Sequence, residues 1–112
     1  MPLVGIGLWA AKQAIQNAKG SGWLFPRYAQ DNDIRATHAS NTINKYLRET
    51  LGIPKTSHSF RHSMKDLLRN SGCPDDIQKA LLGHGSRSVA DSYGQGYSLP
   101  ILRDALQKAL AL

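Results

Sequence analysis

The sequence predicts a mainly α-helical fold, and three observations carry the prediction. Apolar residues recur at helical spacing in successive stretches of the chain. Glycine and proline stand where each of those stretches ends. Apart from residues 1–4 and 23–25, nothing reads as a strand.

The first helix spans Val4 to Lys19, with Leu8, Ala11, Ala14, Ile15 and Ala18 on one stripe. Gly20-Ser21-Gly22 ends it. Trp23-Leu24-Phe25-Pro26 is too short and too close to proline for a long strand. Arg27 to Thr37 is polar and aperiodic and reads as a loop holding Asp31-Asn32-Asp33. A second helix runs from about His38 to Leu51, with Ile43, Leu47 and Leu51 aligned and Tyr46 beside them. Gly52 and Pro54 supply its stop. Thr56 or Ser57 caps a third helix reaching about Asn70. Phe60, Met64, Leu67 and Leu68 form its expected buried face, and His58, Arg61 and Lys65 a separate polar one.

Gly72 closes that helix. Pro74 suits the first turn of the next, where Asp75 and Asp76 complement the N-terminal dipole. Ile77, Ala80 and Leu81 are expected inside, and Gly83 is a natural left-handed cap that leaves His84 just past the helix end. Ser86 or Ser88 can begin a short helix through Val89 and Ala90 towards Tyr93, which Gly94 and Gly96 interrupt. Ser98 caps a last helix with Leu99, Leu102, Leu106, Ala109 and Leu110 along one side.

At 112 residues the chain is one domain or less. Its 14 Lys and Arg against 8 Asp and Glu leave a net charge of +6, which suits a polyanionic partner such as nucleic acid. The cations are spread along the chain and form no basic tail. Cys73 is the only cysteine, so no internal disulfide forms, and the chain fits a reducing compartment. No apolar run approaches the length of a membrane span.

The second half of the chain carries the chemistry. His58-Ser59-Phe60-Arg61, Leu82-Gly83-His84 and Tyr93 follow one another, with 23 residues from Arg61 to His84 and nine from His84 to Tyr93. This ordered set resembles the end of the catalytic domain of tyrosine recombinases, the phage integrase family. The runs Ser57-His58-Ser59-Phe60-Arg61-His62-Ser63 and Gln78-Lys79-Ala80-Leu81-Leu82-Gly83-His84 carry the likeness most specifically. It extends more mildly through Leu24-Phe25-Pro26 and Ser40-Asn41-Thr42-Ile43-Asn44. The resemblance implies a multi-helix C-terminal portion of that catalytic domain over residues 1–112, with at most a remnant of its β-hairpin at the N-terminus.

The resemblance further implies a DNA strand transferase acting on double-stranded DNA, with His58, Arg61, His84 and Tyr93 as its catalytic residues. The residue chemistry agrees. A free tyrosine has a pKa near 10, so about one phenol in a thousand is ionised at neutral pH, and attack on a phosphodiester requires the proton to be moved. Arg61 offers a fork of N–H donors matching two phosphate oxygens, and His84 can donate another bond. His58 is the candidate proton acceptor. By resemblance Tyr93 forms a 3′-phosphotyrosyl link and releases a 5′-hydroxyl. The link conserves the phosphodiester, so no cofactor, metal or small-molecule substrate is expected. The implied location is the cytoplasm of a bacterial or phage-infected host cell.

Other readings compete. Tyr97 is a second tyrosine, but its spacing from His84 fits the family less well. His58 and His62 at i and i+4, with Cys73 and His84, could bind zinc; Arg61 between the histidines opposes a cation there. A non-catalytic helical DNA-binding or protein-interaction module is the alternative from another class. The family's earlier arginine and its hairpin lysine have no counterpart here, because Met1-Pro2-Leu3-Val4 resembles only the end of that hairpin and Lys12 and Lys19 fall on the wrong element. The 112 residues are therefore expected to be a truncated catalytic domain, inactive alone. The leucines of the last helix are expected either to pack in cis or to mediate self-association.

Overall fold

The computed structural model describes residues 1–31, 33–83 and 96–112, and the mainly α expectation is met. Among the described residues there are five α-helices: α1 (Gly5–Asn17), α2 (Ala36–Lys45), α3 (His58–Asn70), α4 (Asp75–Leu82) and α5 (Leu99–Ala109). The chain divides into two compact units, one of Met1–Gly7 with Arg61–Leu112 and one of Leu8–Phe60.

In the unit Leu8–Phe60, the segment expected to be a loop contains a small hairpin. Strand β1 (Ala29–Gln30) pairs antiparallel with β2 (Asp33–Ile34), Ala29 opposite Ile34 and Gln30 opposite Asp33. Asp31 enters the turn at φ +52°, a left-handed conformation that aspartate tolerates better than most residues. Strands of two residues are too short to show alternation, which is why the sequence reads as aperiodic. Residues 1–4 and 23–25, where the only strand-like runs were expected, form none. Helix α2 starts at Ala36, two residues before the expected His38, and passes into a turn of π-helix, Tyr46–Thr50. Gly52 then takes φ +65°, and Ile53 N–H bonds back to Leu47 O at 2.8 Å. Leu47 is buried, whereas Trp23, Leu24, Phe25, Ile34 and Ile43 remain exposed.

The core of the other unit consists of Leu68, Leu81, Leu102, Leu106 and Ala109, with Val4, Met64, Cys73, Ile77, Leu82 and Ala105 half-buried around it. Thus the leucine stripe of α5 packs in cis over Leu102, Leu106 and Ala109, while Leu99 and Ile101 stay exposed. Ser98 occupies the expected cap position with extended backbone, but its hydroxyl makes no capping bond. Between α3 and α4, Gly72 takes φ +76° and Cys73 N–H reaches Leu68 O at 3.0 Å. That pattern stops α3 and reverses the chain within a few residues.

Two inward faces differ from expectation. On α3, Leu68 is buried and Met64 half-buried, but Phe60 and Leu67 are exposed. On α4, Ala80 is exposed and Gln78 is buried in its place. The Gln78 amide Nε2 donates to Cys73 O at 2.7 Å, which satisfies a carbonyl in the α3–α4 turn; among the described residues its Oε1 has no partner. A glutamine can go inside here because the turn beside it offers an acceptor.

Candidate functional site

The site begins where α2 meets the start of α3. Asn44 Oδ1 accepts the Ser57 backbone N–H at 2.8 Å. Ser59 N–H then bonds Thr56 O at 3.0 Å and Phe60 N–H bonds Ser57 O at 3.1 Å. These bonds fix His58 as the first residue of α3, with its side chain exposed. Sequence reading named Asn44 only as part of a mild likeness; its role as anchor rests on a contact 13 residues long.

Arg61 lies one turn further along α3 and is half-buried. The cause is angular. Helical residues advance about 100° each, so positions seven apart nearly superimpose, and Arg61 projects on the side of fully buried Leu68. Lys65 is half-buried as well. The expected polar face is therefore divided: His58 stands in solvent, whereas Arg61 and Lys65 flank the buried seam. Long cationic side chains accommodate this by packing their methylenes and keeping the charge at the rim.

Helix α4 completes the described electrostatics. Lys79 Nζ stands 2.8 Å from Asp75 Oδ2. The hydrogen bond and charge of Lys79 hold the Asp75 carboxyl below its ordinary value, and Lys65 and Arg69 add to the effect. Asp66 and Arg69 pair loosely at 3.9 Å, with both side chains exposed. Cations of α3 thus converge on the first turn of α4. Gly83 ends α4 at φ +68°, its N–H on Lys79 O, as its sequence position predicts. His84 and Tyr93 lie outside the described residues. Tyr97 is described: its hydroxyl donates to Asp76 Oδ2. That contact joins residues 21 apart and has no signature in local spacing.

The arrangement offers a half-buried arginine amid other cations of one helix, and its guanidinium is suited to holding a phosphate in two-point contact. Among the described residues no three His, Cys, Asp or Glu side chains stand close enough to share a metal ion. Among them, too, no helix is long and apolar enough to cross a membrane.

Comparison with known proteins bears directly on these residues. No curated protein and no solved structure matches the chain. The phage integrase family matches over residues 6–98, a span that contains α2, α3 and α4 and every candidate from His58 to Tyr93. Because the match takes in most of the chain and the whole ordered set of site residues, this protein belongs to the phage integrase family.

Proposed function

We propose that these 112 residues supply the nucleophile and part of the phosphate clamp of a site-specific DNA recombinase, forming a single catalytic unit of the tyrosine type. The observation that carries the reading is the family match across residues 6–98, combined with the half-buried setting of Arg61 on α3. Tyr93 Oη attacks a backbone phosphorus, the bond from phosphorus to the 5′ oxygen breaks, and the departing strand leaves as a 5′-hydroxyl. His58 takes the phenolic proton, and Arg61 and His84 stabilise the charge gathering on the non-bridging oxygens. One such donor contributes about 10²–10³ in rate. Rejoining is the same displacement run backwards by a 5′-hydroxyl, so phosphodiester energy is conserved.

The two further donors implied by the resemblance, an arginine and a lysine, come in this reading from outside these 112 residues. The polypeptide alone is then a very slow enzyme, since two absent donors together lower the rate by about 10⁴–10⁶. A nicked suicide duplex, from which the cleaved strand diffuses away, provides the test. Mixed with a polypeptide supplying the missing donors, the chain should form a denaturant-resistant DNA adduct that Tyr93→Phe abolishes while DNA binding persists. An adduct retained by Tyr93→Phe refutes Tyr93 as the nucleophile, whereas binding without adduct under every condition supports the non-catalytic module instead. Efficient cleavage by the 112 residues alone removes the need for outside donors. Self-association belongs to the same proposal, with Leu99 and Ile101 as the exposed apolar residues of α5. A monomeric mass by light scattering over a wide concentration range refutes it.

A further inference from the structure

We propose that Asn44, from α2, is a positioning residue for His58; the inference rests on the reading of His58 as proton acceptor. Asn44 Oδ1 accepts the Ser57 backbone N–H at 2.8 Å, and both residues are half-buried. Asn44 stands about one helical turn before buried Leu47, in the same unit as Ser57 and His58. The amide therefore joins the seated end of α2 to the residue just ahead of His58.

The start of α3 needs an acceptor from elsewhere. The first N–H groups of a helix find no partner within it. Ser59 N–H and Phe60 N–H turn back to Thr56 O and Ser57 O at 3.0 and 3.1 Å, a tightened first turn. In a capping box, the N–H of the cap residue is taken by a Glu or Gln side chain three residues on. Here that position is Phe60, whose exposed side chain has no acceptor. Asn44 does from α2 what the third helical residue does elsewhere. The choice suits the proposed chemistry. A carboxylate at position 60 would bring negative charge next to Arg61 and oppose the phosphate, whereas an amide on α2 brings none.

Chain geometry shows what the bond does. After Asn44 the chain passes through the π-turn Tyr46–Thr50 and reverses at Gly52, with Ile53 N–H on Leu47 O at 2.8 Å. Ile53 lies five residues before His58, a reach of up to about 18 Å. Ser57 is the immediate neighbour of His58, with Cα atoms about 3.8 Å apart. Helix ends fray, and His58 is the first residue of α3. The Asn44 bond thus brings a fixed point from five residues away to one, and holds the backbone of the proton acceptor at the helix start.

The experiment has two readouts. Amide hydrogen exchange of the 112-residue chain, resolved by NMR, follows Ser57. Adduct formation on the suicide duplex, with the missing donors supplied, follows His58. Asn44→Ala should speed Ser57 exchange about fivefold, the size of one net hydrogen bond, and lower the adduct rate several-fold at unchanged DNA affinity. Ile53 N–H, in the same unit, should exchange as before and controls for general unfolding. Adding Phe60→Gln to Asn44→Ala completes a capping box with Ser57 and should recover both readouts. His58→Ala should itself lower the adduct rate by about 10² or more. In that background Asn44→Ala should cause no further loss, because it acts through His58. Unchanged Ser57 exchange, an adduct rate that Asn44→Ala leaves alone, an equal loss in the His58→Ala background, or no recovery with Phe60→Gln overturns the positioning role. Ser57 exchange that responds as expected, beside an adduct rate unchanged by His58→Ala, overturns the proton-acceptor reading alone.

Discussion

Replacing Leu68 by alanine tests the core that supports α3. Leu68 has no exposed surface, and Leu81, Leu102, Leu106 and Ala109 share its cluster. A Leu→Ala change in such a place costs about 2–5 kcal/mol through lost transfer energy and the cavity left behind. The half-buried rim of Val4, Met64, Ile77 and Ala105 can close partly into the space, which favours about 3 kcal/mol. A chain of this length has about 6–17 kcal/mol of stability, and so small a core places it near the lower figure. Leu68→Ala should therefore remove about half. Urea titration followed by circular dichroism measures it, with Leu67→Ala as the internal control. Leu67 is 42 % exposed, so its loss should cost under about 1 kcal/mol, although hydrophobic periodicity treats the two residues alike. Calorimetry adds a second reading. If the whole chain melts together, the midpoint falls about 12 °C; if only the unit holding Leu68 melts, its fewer residues give about 25 °C. A Leu68→Ala cost below about 1 kcal/mol, or equal costs at 67 and 68, refutes the core assignment.

Three further outcomes are expected. Gly83→Ala should cost about 1 kcal/mol through backbone alone, because φ is +68° and an added Cβ meets nothing within 4 Å; Gly83→Asn should cost roughly half, by thermal melting. Gln78→Glu should destabilise at neutral pH by about 1–3 kcal/mol, since it replaces the donor on Cys73 O with a second acceptor. The native state then prefers the protonated carboxyl, so stability should return as pH falls through the carboxylate range, read from urea midpoints against pH. Burial, and after it the Asp76 charge, raises the Cys73 thiol above its ordinary value of 9.0. The native chain keeps that proton where the unfolded chain has released it, so this contribution falls as pH rises past 9.0. Correspondingly, alkylation of Cys73 near neutral pH should be slower in the folded chain than in urea, and equal rates refute the burial.

The turns and helix ends were the most legible part of the fold. Gly72, Gly83 and the pair Asp75-Asp76 each act through their own backbone or through an adjacent helix end, so their consequences can be read locally. Inward faces were less legible. A stripe of apolar residues shows which side chains can be buried, but the neighbouring helices decide which are; α3 therefore buries Leu68 and leaves Phe60 and Leu67 outside. Gln78 was invisible because a search for apolar periodicity passes over an amide, and its partner is a turn carbonyl. The β1–β2 hairpin was missed because it is shorter than the period needed to detect it. Of the candidate site, His58 and Arg61 were named by the resemblance of the motif around them, while Asn44 and the Asp76–Tyr97 pair depend on contacts between distant positions.

The half-buried setting of Arg61 links stability to the proposed chemistry. A guanidinium on a fully solvated helix face must be ordered when phosphate arrives, at the expense of about 2 kcal/mol of rotamer entropy. Half-buried, and seven residues before Leu68 on the same side of α3, Arg61 has less freedom than a fully solvated side chain. Part of that entropy is then lost on folding instead of on binding, which is the general source of strong clamping by preorganised donors. Lys65, similarly half-buried, also has Asp75 within electrostatic reach, so α4 offsets some of the charge that α3 concentrates. His58 is exposed at the first position of its helix, where the Ser57 N–H bond to Asn44 Oδ1 holds the backbone just ahead of it. In the proposed mechanism the clamp residue is thus half-buried while the proposed proton acceptor is exposed. That division suits a reaction in which charge on phosphorus oxygens must be met at a fixed place, whereas a proton needs only an acceptor within reach.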